Sequence, residues 1–283
     1  MKKIFVIAAL VMGFASCGKE VNGIMDDENG EKRVTFNLEG NWNSPVFTRG
    51  SLSADGKEMT DLWLFDYVDG VLVQSLHQSS TDTDFGEPSS TLTYGQHKIY
   101  FVVSRGVSPS VSGNVISWSS VRDTFWKSLS ISVGGSSQSS YSITMDRVVT
   151  KLRIVTNDEV PADIASVVVL PGKWYYGLDY LTGEPADMRD GEELSVNVPD
   201  SYVGTTGELA VSFFGFSSDT EWTTPLTISA RDGENDIIGL VNVAAAPFMA
   251  NRATEYSGSL FTSGGAFAIT LNDEWDTPWT GSW

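Results

Sequence analysis

The amino-acid sequence predicts an all-β protein made of two tandem β-sandwich domains. Three observations lead there. Short runs rich in Val, Ile, Phe and Thr recur from residue 33 almost to the end, broken by Gly, Asn and Ser. Several of these runs alternate apolar and polar residues, the pattern of strands with one buried face. Helical periodicity is nearly absent: only Val121–Leu129 (VRDTFWKSL) offers one or two turns.

Taken in chain order, Met1-Lys2-Lys3 is a short positive start, and Ile4–Phe14 (IFVIAALVMGF) is an apolar run of signal-peptide length. A membrane-spanning helix needs about 20 apolar residues, so this run is too short to be one. Phe14-Ala15-Ser16-Cys17 then places small residues directly before a cysteine. This resembles the lipobox read by lipoprotein signal peptidase, with Phe14 where Leu is usual. Cleavage there would leave Cys17 to carry the lipid, and two or more acyl chains anchor stably where one does not. Cys17 is the only cysteine, so an internal disulfide has no second thiol. Residues 1–16 are assigned to a lipoprotein signal peptide. Residues 17–32, polar, acidic and turn-rich, are assigned to a tether.

The β signal begins at Arg33. Val34, Phe36 and Leu38 alternate with polar residues. Asp61–Val73 (DLWLFDYVDGVLV) reads as two strands joined at Asp69-Gly70, a strong hairpin signal. His97–Val103, Ser139–Met145 and Val148–Val155 follow. Ser166–Leu170, Leu194–Val198, Leu209–Phe216, Leu226–Ala230, Ile237–Val243 and Phe267–Leu271 complete the series. The break at Thr156–Pro161 (TNDEVP) divides these strands into an N-terminal domain, 33–157, and a C-terminal domain, 158–283. No short-period repeat suggests a solenoid or propeller.

Composition narrows the function classes. The chain is 41% hydrophobic, enough to bury a core, and its net charge is −18. That acidity argues against nucleic acid or an anionic membrane surface as partners. His77 and His97 lie in no zinc-binding spacing. Asp26, Asp27 and Glu28 do not match a calcium loop and read as solvated tether. There is no GxSxG elbow, P-loop or strand-linked GxGxxG. With 36 acidic residues, no glycosidase carboxylate pair stands out. No metal, cofactor or enzymatic activity is expected.

Two aromatic groups remain. Trp174, Tyr175, Tyr176 and Tyr180 follow Pro171-Gly172. Such a group fills a sandwich core or an interdomain seam; if exposed, it forms a platform that stacks on sugar rings. Trp275, Trp279 and Trp283 lie in EWDTPWTGSW, where Pro278 breaks any strand. Three tryptophans this close together dock on their own domain or on a partner.

Four features occur in order along nearly the whole mature chain. The first is the lipobox with its acidic tether. The second is Met59-Thr60-Asp61-Leu62-Trp63-Leu64-Phe65-Asp66 with Asp69-Gly70-Val71-Leu72-Val73. The third is Met145-Asp146-Arg147-Val148-Val149-Thr150-Lys151-Leu152-Arg153-Ile154, with Thr150 where Ala is usual. The fourth is Asn251-Arg252-Ala253-Thr254-Glu255-Tyr256-Ser257-Gly258-Ser259-Leu260-Phe261. Together they resemble the fimbrillin superfamily of Bacteroidota, most of all its FimB-type lipoprotein anchors.

That resemblance implies two transthyretin-like sandwiches, no enzymatic activity, and a place at the cell outer membrane in a fimbrium. It implies assembly with other fimbrial subunits by strand exchange. An Arg-specific protease removes a first strand, and a strand of the next subunit fills the groove. Main-chain hydrogen bonds supply affinity in such an exchange, and alternating side chains supply register. Here the candidate first strand is Arg33–Leu38, with room to continue through Val46 and Phe47, and Val34, Phe36 and Leu38 are its candidate strand-exchange or partner contacts. Arg49, followed by Gly50 where Ala is usual, is the matching processing site. An uncut chain keeps its lipid and acts as an anchor. A chain cut after Arg49 is a stalk or tip subunit. A glycan-binding surface lipoprotein using Trp174–Tyr180 is the alternative of a different class. Trp275, Trp279 and Trp283 are further candidate partner contacts.

Overall fold

The segment Asp61–Val68 is apolar on both faces, and this sets the architecture. Leu62 and Leu64 point into one core, while Trp63 and Phe65 point into another. A strand buried on both sides reads as a continuous apolar run rather than an alternation. The computed structural model describes residues 30–40, 58–262 and 267–272. Among them no helix is long and apolar enough to cross a membrane.

The first half contains β1 (Glu31–Gly40), β2 (Asp61–Val68), β3 (Val71–Ser79), β4 (Ser89–Thr93), β5 (Gly95–Ser104), β6 (Ser110–Ser112), β7 (Val115–Ser117), β8 (Thr124–Val133) and β9 (Ser140–Arg147). Seven of these strands run in the order β3-β2-β5-β8-β9-β1-β4. The sheet folds over at the short β8–β9 pairing, Phe125 with Arg147 and Trp126 with Asp146. Its two wings face each other across a core of Phe36, Leu38, Leu64, Phe101, Phe125 and Ile143. The β2–β3 turn has Asp69 at φ 51° and Gly70 at φ 78°, the paired positive values that two-residue hairpins require.

The second half contains β10 (Val149–Thr156), β11 (Ile164–Pro171), β12 (Trp174–Asp179), β13 (Glu184–Arg189), β14 (Leu194–Asn197), β15 (Ala210–Phe216), β16 (Trp222–Asp232), β17 (Ile237–Phe248), β18 (Ala253–Gly258) and β19 (Phe267–Asn272). Sheets β15-β10-β18-β19 and β14-β11-β16-β17 form the second sandwich. A third sheet, β13-β12-β7-β6, joins the halves, pairing Gly177 with Ser117 and Leu178 with Ile116.

The all-β expectation holds. Three details differ from the sequence reading. Val121–Leu129 is not helical: Thr124 starts β8, which pairs residue for residue with β5, and this long-range ladder overrides local propensity. The domain seam does not lie at 157/158. Strand β10 bonds to β15 and β18 of the second sandwich, so the chain changes domain at Val148. Residues 110–117 also belong structurally to the joining sheet, although they sit inside the first half of the sequence.

Candidate strand-addition interface

Alternating apolar residues put one face of β1 inside the first sandwich. Val34, Phe36 and Leu38 are fully buried. The Phe36 ring packs edge-on against Phe101 at 5.1 Å and stacks on Tyr141 at 6.0 Å. Both edges of the strand are bonded. Glu31–Thr35 pair antiparallel with β4, and Thr35–Gly40 pair parallel with β9. Past the end of β4, the Phe36 amide donates to the Pro88 carbonyl at 3.0 Å and the Leu38 amide to Gly86 at 3.3 Å.

Polar side chains add to this seating. Lys32 is 4% exposed, and its Nζ donates to the carbonyls of Gly135 (3.1 Å) and Ser137 (2.6 Å) in the β8–β9 loop. Thr35 Oγ1 meets Ser89 Oγ at 2.8 Å, and Asn37 Nδ2 donates to Ser140 Oγ at 2.9 Å. Val34, Phe36 and Leu38 therefore present no surface to a partner while β1 is seated. The sandwich itself uses these side chains. What a partner strand could take is the position of β1.

The other end of the described chain differs. Among the described strands, β19 pairs with β18, Gly258 through Ala253 against Phe267 through Asn272. Phe267, Ile269 and Leu271 lie on the same side of the sheet as the buried Thr254 and Tyr256. Even so, Ile269 is 48% and Leu271 43% exposed. A second exposed apolar edge lies on β3, where Val71, Leu72 and Val73 are all open to solvent. The sequence reading assigned no contact to it, although three consecutive apolar residues after a hairpin turn are its visible signal.

Trp174, Tyr176 and Tyr180 are buried, so the sugar-stacking reading of these residues is overturned. Trp174 Nε1 donates to the Phe214 carbonyl at 3.0 Å, and its ring lies against Phe248 at 5.1 Å. Gly215 makes room: a Cβ there would meet the Trp174 ring at 2.5 Å. Tyr180 stacks face to face on Phe65 of the first domain at 3.8 Å, and its hydroxyl meets Tyr67 Oη at 3.1 Å. Burial pushes the Tyr180 phenol up, so it stays a neutral donor to the Gly113 carbonyl. Tyr180 thus fills the interdomain seam, while Trp174 packs into the second sandwich. Tyr175 alone is partly exposed, edge-on to Trp222.

Both histidines are engaged by protein groups. His97 Nδ1 meets Asp66 Oδ1 at 2.9 Å, and Nε2 meets the Thr93 carbonyl at 2.8 Å. His77 Nε2 meets Asp61 Oδ1 at 2.8 Å, with its ring stacked on Trp63. Asp232, Glu234 and Asp236 converge at the β16–β17 turn, where Asp232 Oδ1 accepts from the Glu234 and Asp236 amides. That geometry is a turn held by its own carboxylate. Cys17, Arg49, Trp275, Trp279 and Trp283, with the signal peptide and most of the tether, lie outside the described residues.

Residues 107–283 match the model of a family of unknown function, DUF6562. No curated protein sequence matches the chain. Among solved structures, the chain is similar to a proposed adhesin from Bacteroides ovatus, with 10% identity and a TM-score of 0.52 over 86% of this chain and 94% of that one. That likeness shows the fold. The fimbrial anchor protein Mfa2 from Porphyromonas gingivalis has 8% identity and a TM-score of 0.49, over 86% and 98% of the two chains. A proposed polysaccharide-binding protein from Bacteroides thetaiotaomicron has 9% identity and a TM-score of 0.49, over 85% and 96%.

Proposed function

The chain belongs to the DUF6562 family, and on that premise we propose that it is a structural subunit of a cell-surface fimbrium, the lipoprotein that anchors it to the outer membrane. The observation that carries this reading is the seating of β1. The strand is bonded on both edges and buries Val34, Phe36 and Leu38. In the sequence it continues backward toward Cys17 and forward only through residues 41–57, which contain Arg49. A lipid on Cys17 is therefore mechanically linked to the first sandwich through β1. A pull arriving at Glu31 runs along the strand axis and loads the ladder bonds together in shear. Neighbouring subunits join by strand addition, for which β19 and β3, edge strands among the described residues, offer main-chain groups.

Intact mass distinguishes the roles, measured on outer-membrane fractions and on sheared surface filaments. The expected species starts at Cys17, carries acyl chains and stays in the membrane fraction. A species starting at Gly50 in filaments would make the chain a stalk or tip subunit and remove the anchor role. An acylated, uncut form without fimbrial partners in either fraction would favour a glycan-binding surface lipoprotein.

A further inference from the structure

A cleft of about 350 Å³ opens beside the seam, between the segment leading into β8 and strands β12, β14 and β15. Its charge balance is unusual for a chain of net charge −18. Glu192 and Glu193 line it, but Arg189 donates to Glu192 at 3.1 Å and Arg231 pairs with Glu193. Arg122 also lines it and, among the described residues, has no carboxylate partner. Its Nη1 donates to Ser120 Oγ at 2.6 Å and to the Val121 carbonyl at 2.9 Å. The nearest acid in sequence, Asp123, is taken by Arg147 at 2.7 and 3.3 Å.

A part-buried guanidinium normally recruits a carboxylate, because desolvating an unpaired charge is costly. Burial alone lowers the Arg122 pKa, with no acid opposing it. On the neighbouring strand, burial first and then the charge of Arg153 bring the Lys151 ammonium down to about 8, with Asp123 opposing and Arg105 and Arg147 adding to the effect. A second, independent observation lies in the same cleft. Ser212 Oγ is buried and, among the described residues, has no hydrogen-bond partner. Around these two groups stand further hydroxyls at Ser119, Ser120 and Ser195. Apolar walls come from Leu194 and Phe213.

We propose that this cleft binds a carboxylate carried on a hydroxylated ring, the chemistry of a uronic acid unit in a glycan. Arg122 takes the carboxylate in a charge-assisted pair, the serine hydroxyls donate to or accept from the ring hydroxyls, and Leu194 and Phe213 cover its C–H face. Ser212 Oγ gains the partner it lacks. This site is separate from the strands used in assembly, so it stands or falls apart from the anchor role.

The test is calorimetric titration of the whole mature chain with D-glucuronate at low salt, with D-glucose and acetate as controls. Glucuronate is expected to bind, glucose not, and added NaCl to weaken binding. Arg122→Gln is expected to weaken it about tenfold or more, the loss of one charged hydrogen-bonding partner, while Arg122→Lys retains part of it. The thermal midpoint of Arg122→Gln should equal or exceed that of the parent, since no ion pair is lost. Absence of glucuronate binding, or equal binding by Arg122→Gln, overturns the proposal. Acetate binding as tightly as glucuronate overturns the saccharide assignment.

Discussion

Strands β1 and β19 carry the same pattern, Val34-x-Phe36-x-Leu38 in one and Phe267-x-Ile269-x-Leu271 in the other. Their fates differ. In β1 the three side chains are fully buried between two bonded neighbours, whereas β19 has one neighbour among the described strands and leaves Ile269 and Leu271 nearly half exposed. Alternation states which side chains share a face. It does not state whether an opposite layer exists to cover that face. For β1 the cover comes from β2, β5 and β8, strands that follow it by more than 20 residues in sequence.

The difference predicts unequal costs. Phe36→Ala should lower stability by about 3–5 kcal/mol, because a fully buried ring leaves a cavity. Leu271→Ala should cost about 0.5 kcal/mol, as expected for an exposed position. Denaturant unfolding of both variants measures this, and equal costs would break the comparison. Next in size is Lys32→Met, at about 1–3 kcal/mol, since two carbonyls of the β8–β9 loop lose their donor. Its distinguishing readout is faster amide exchange around Gly134–Ser137, with β19 unchanged. A smaller effect on stability, within about 0.5 kcal/mol, is expected for Ile269→Ser with Leu271→Ser. Apolar dye binding should fall in that variant. Undiminished dye fluorescence would mean that another surface, such as Val71–Val73 on β3, is the main exposed apolar patch.

Those contrasts mark how far sequence reading reaches. Where one face of a strand meets water, as in Val34–Leu38, the alternation identified the inward residues correctly. The Asp69-Gly70 hairpin was legible because its chemistry is local. Residues whose partners lie far away in sequence were not. Phe125 and Trp126 read as a helical turn because their strand partners, Val103 and Val102, are more than 20 residues back. Trp174, Tyr176 and Tyr180 carried no mark distinguishing a seam from a platform, since Phe65 and Phe248 must be brought to them by the fold. The unpaired Arg122 was invisible for the same reason: a missing partner shows only when every neighbour has been placed.

The hold on β19 itself offers the finest test. The turn leaving β18 is fastened by Asp158. Its Oδ1 accepts from the Leu260 amide at 3.1 Å, and its Oδ2 accepts from the amides of Phe261 at 2.7 Å and Thr262 at 2.9 Å. Burial alone would raise this carboxyl, but the three amide donors outweigh it and hold its pKa below the usual 3.8. A carboxylate with a depressed folded-state pKa contributes stability that is complete above 3.8 and is lost as pH falls through the lower folded value. Protection of the amides at 260–262 should therefore persist from neutral pH down to about pH 4 and fade below it, while those of β1 stay protected over that step. Asp158→Ala should lose the protection already at neutral pH, with little effect on β1. Amide exchange followed by NMR across this range reads both. Loss of β1 protection together with that of 260–262 would show that the two ends open as one unit, and the contrast between a seated first strand and a lightly held last one would fail.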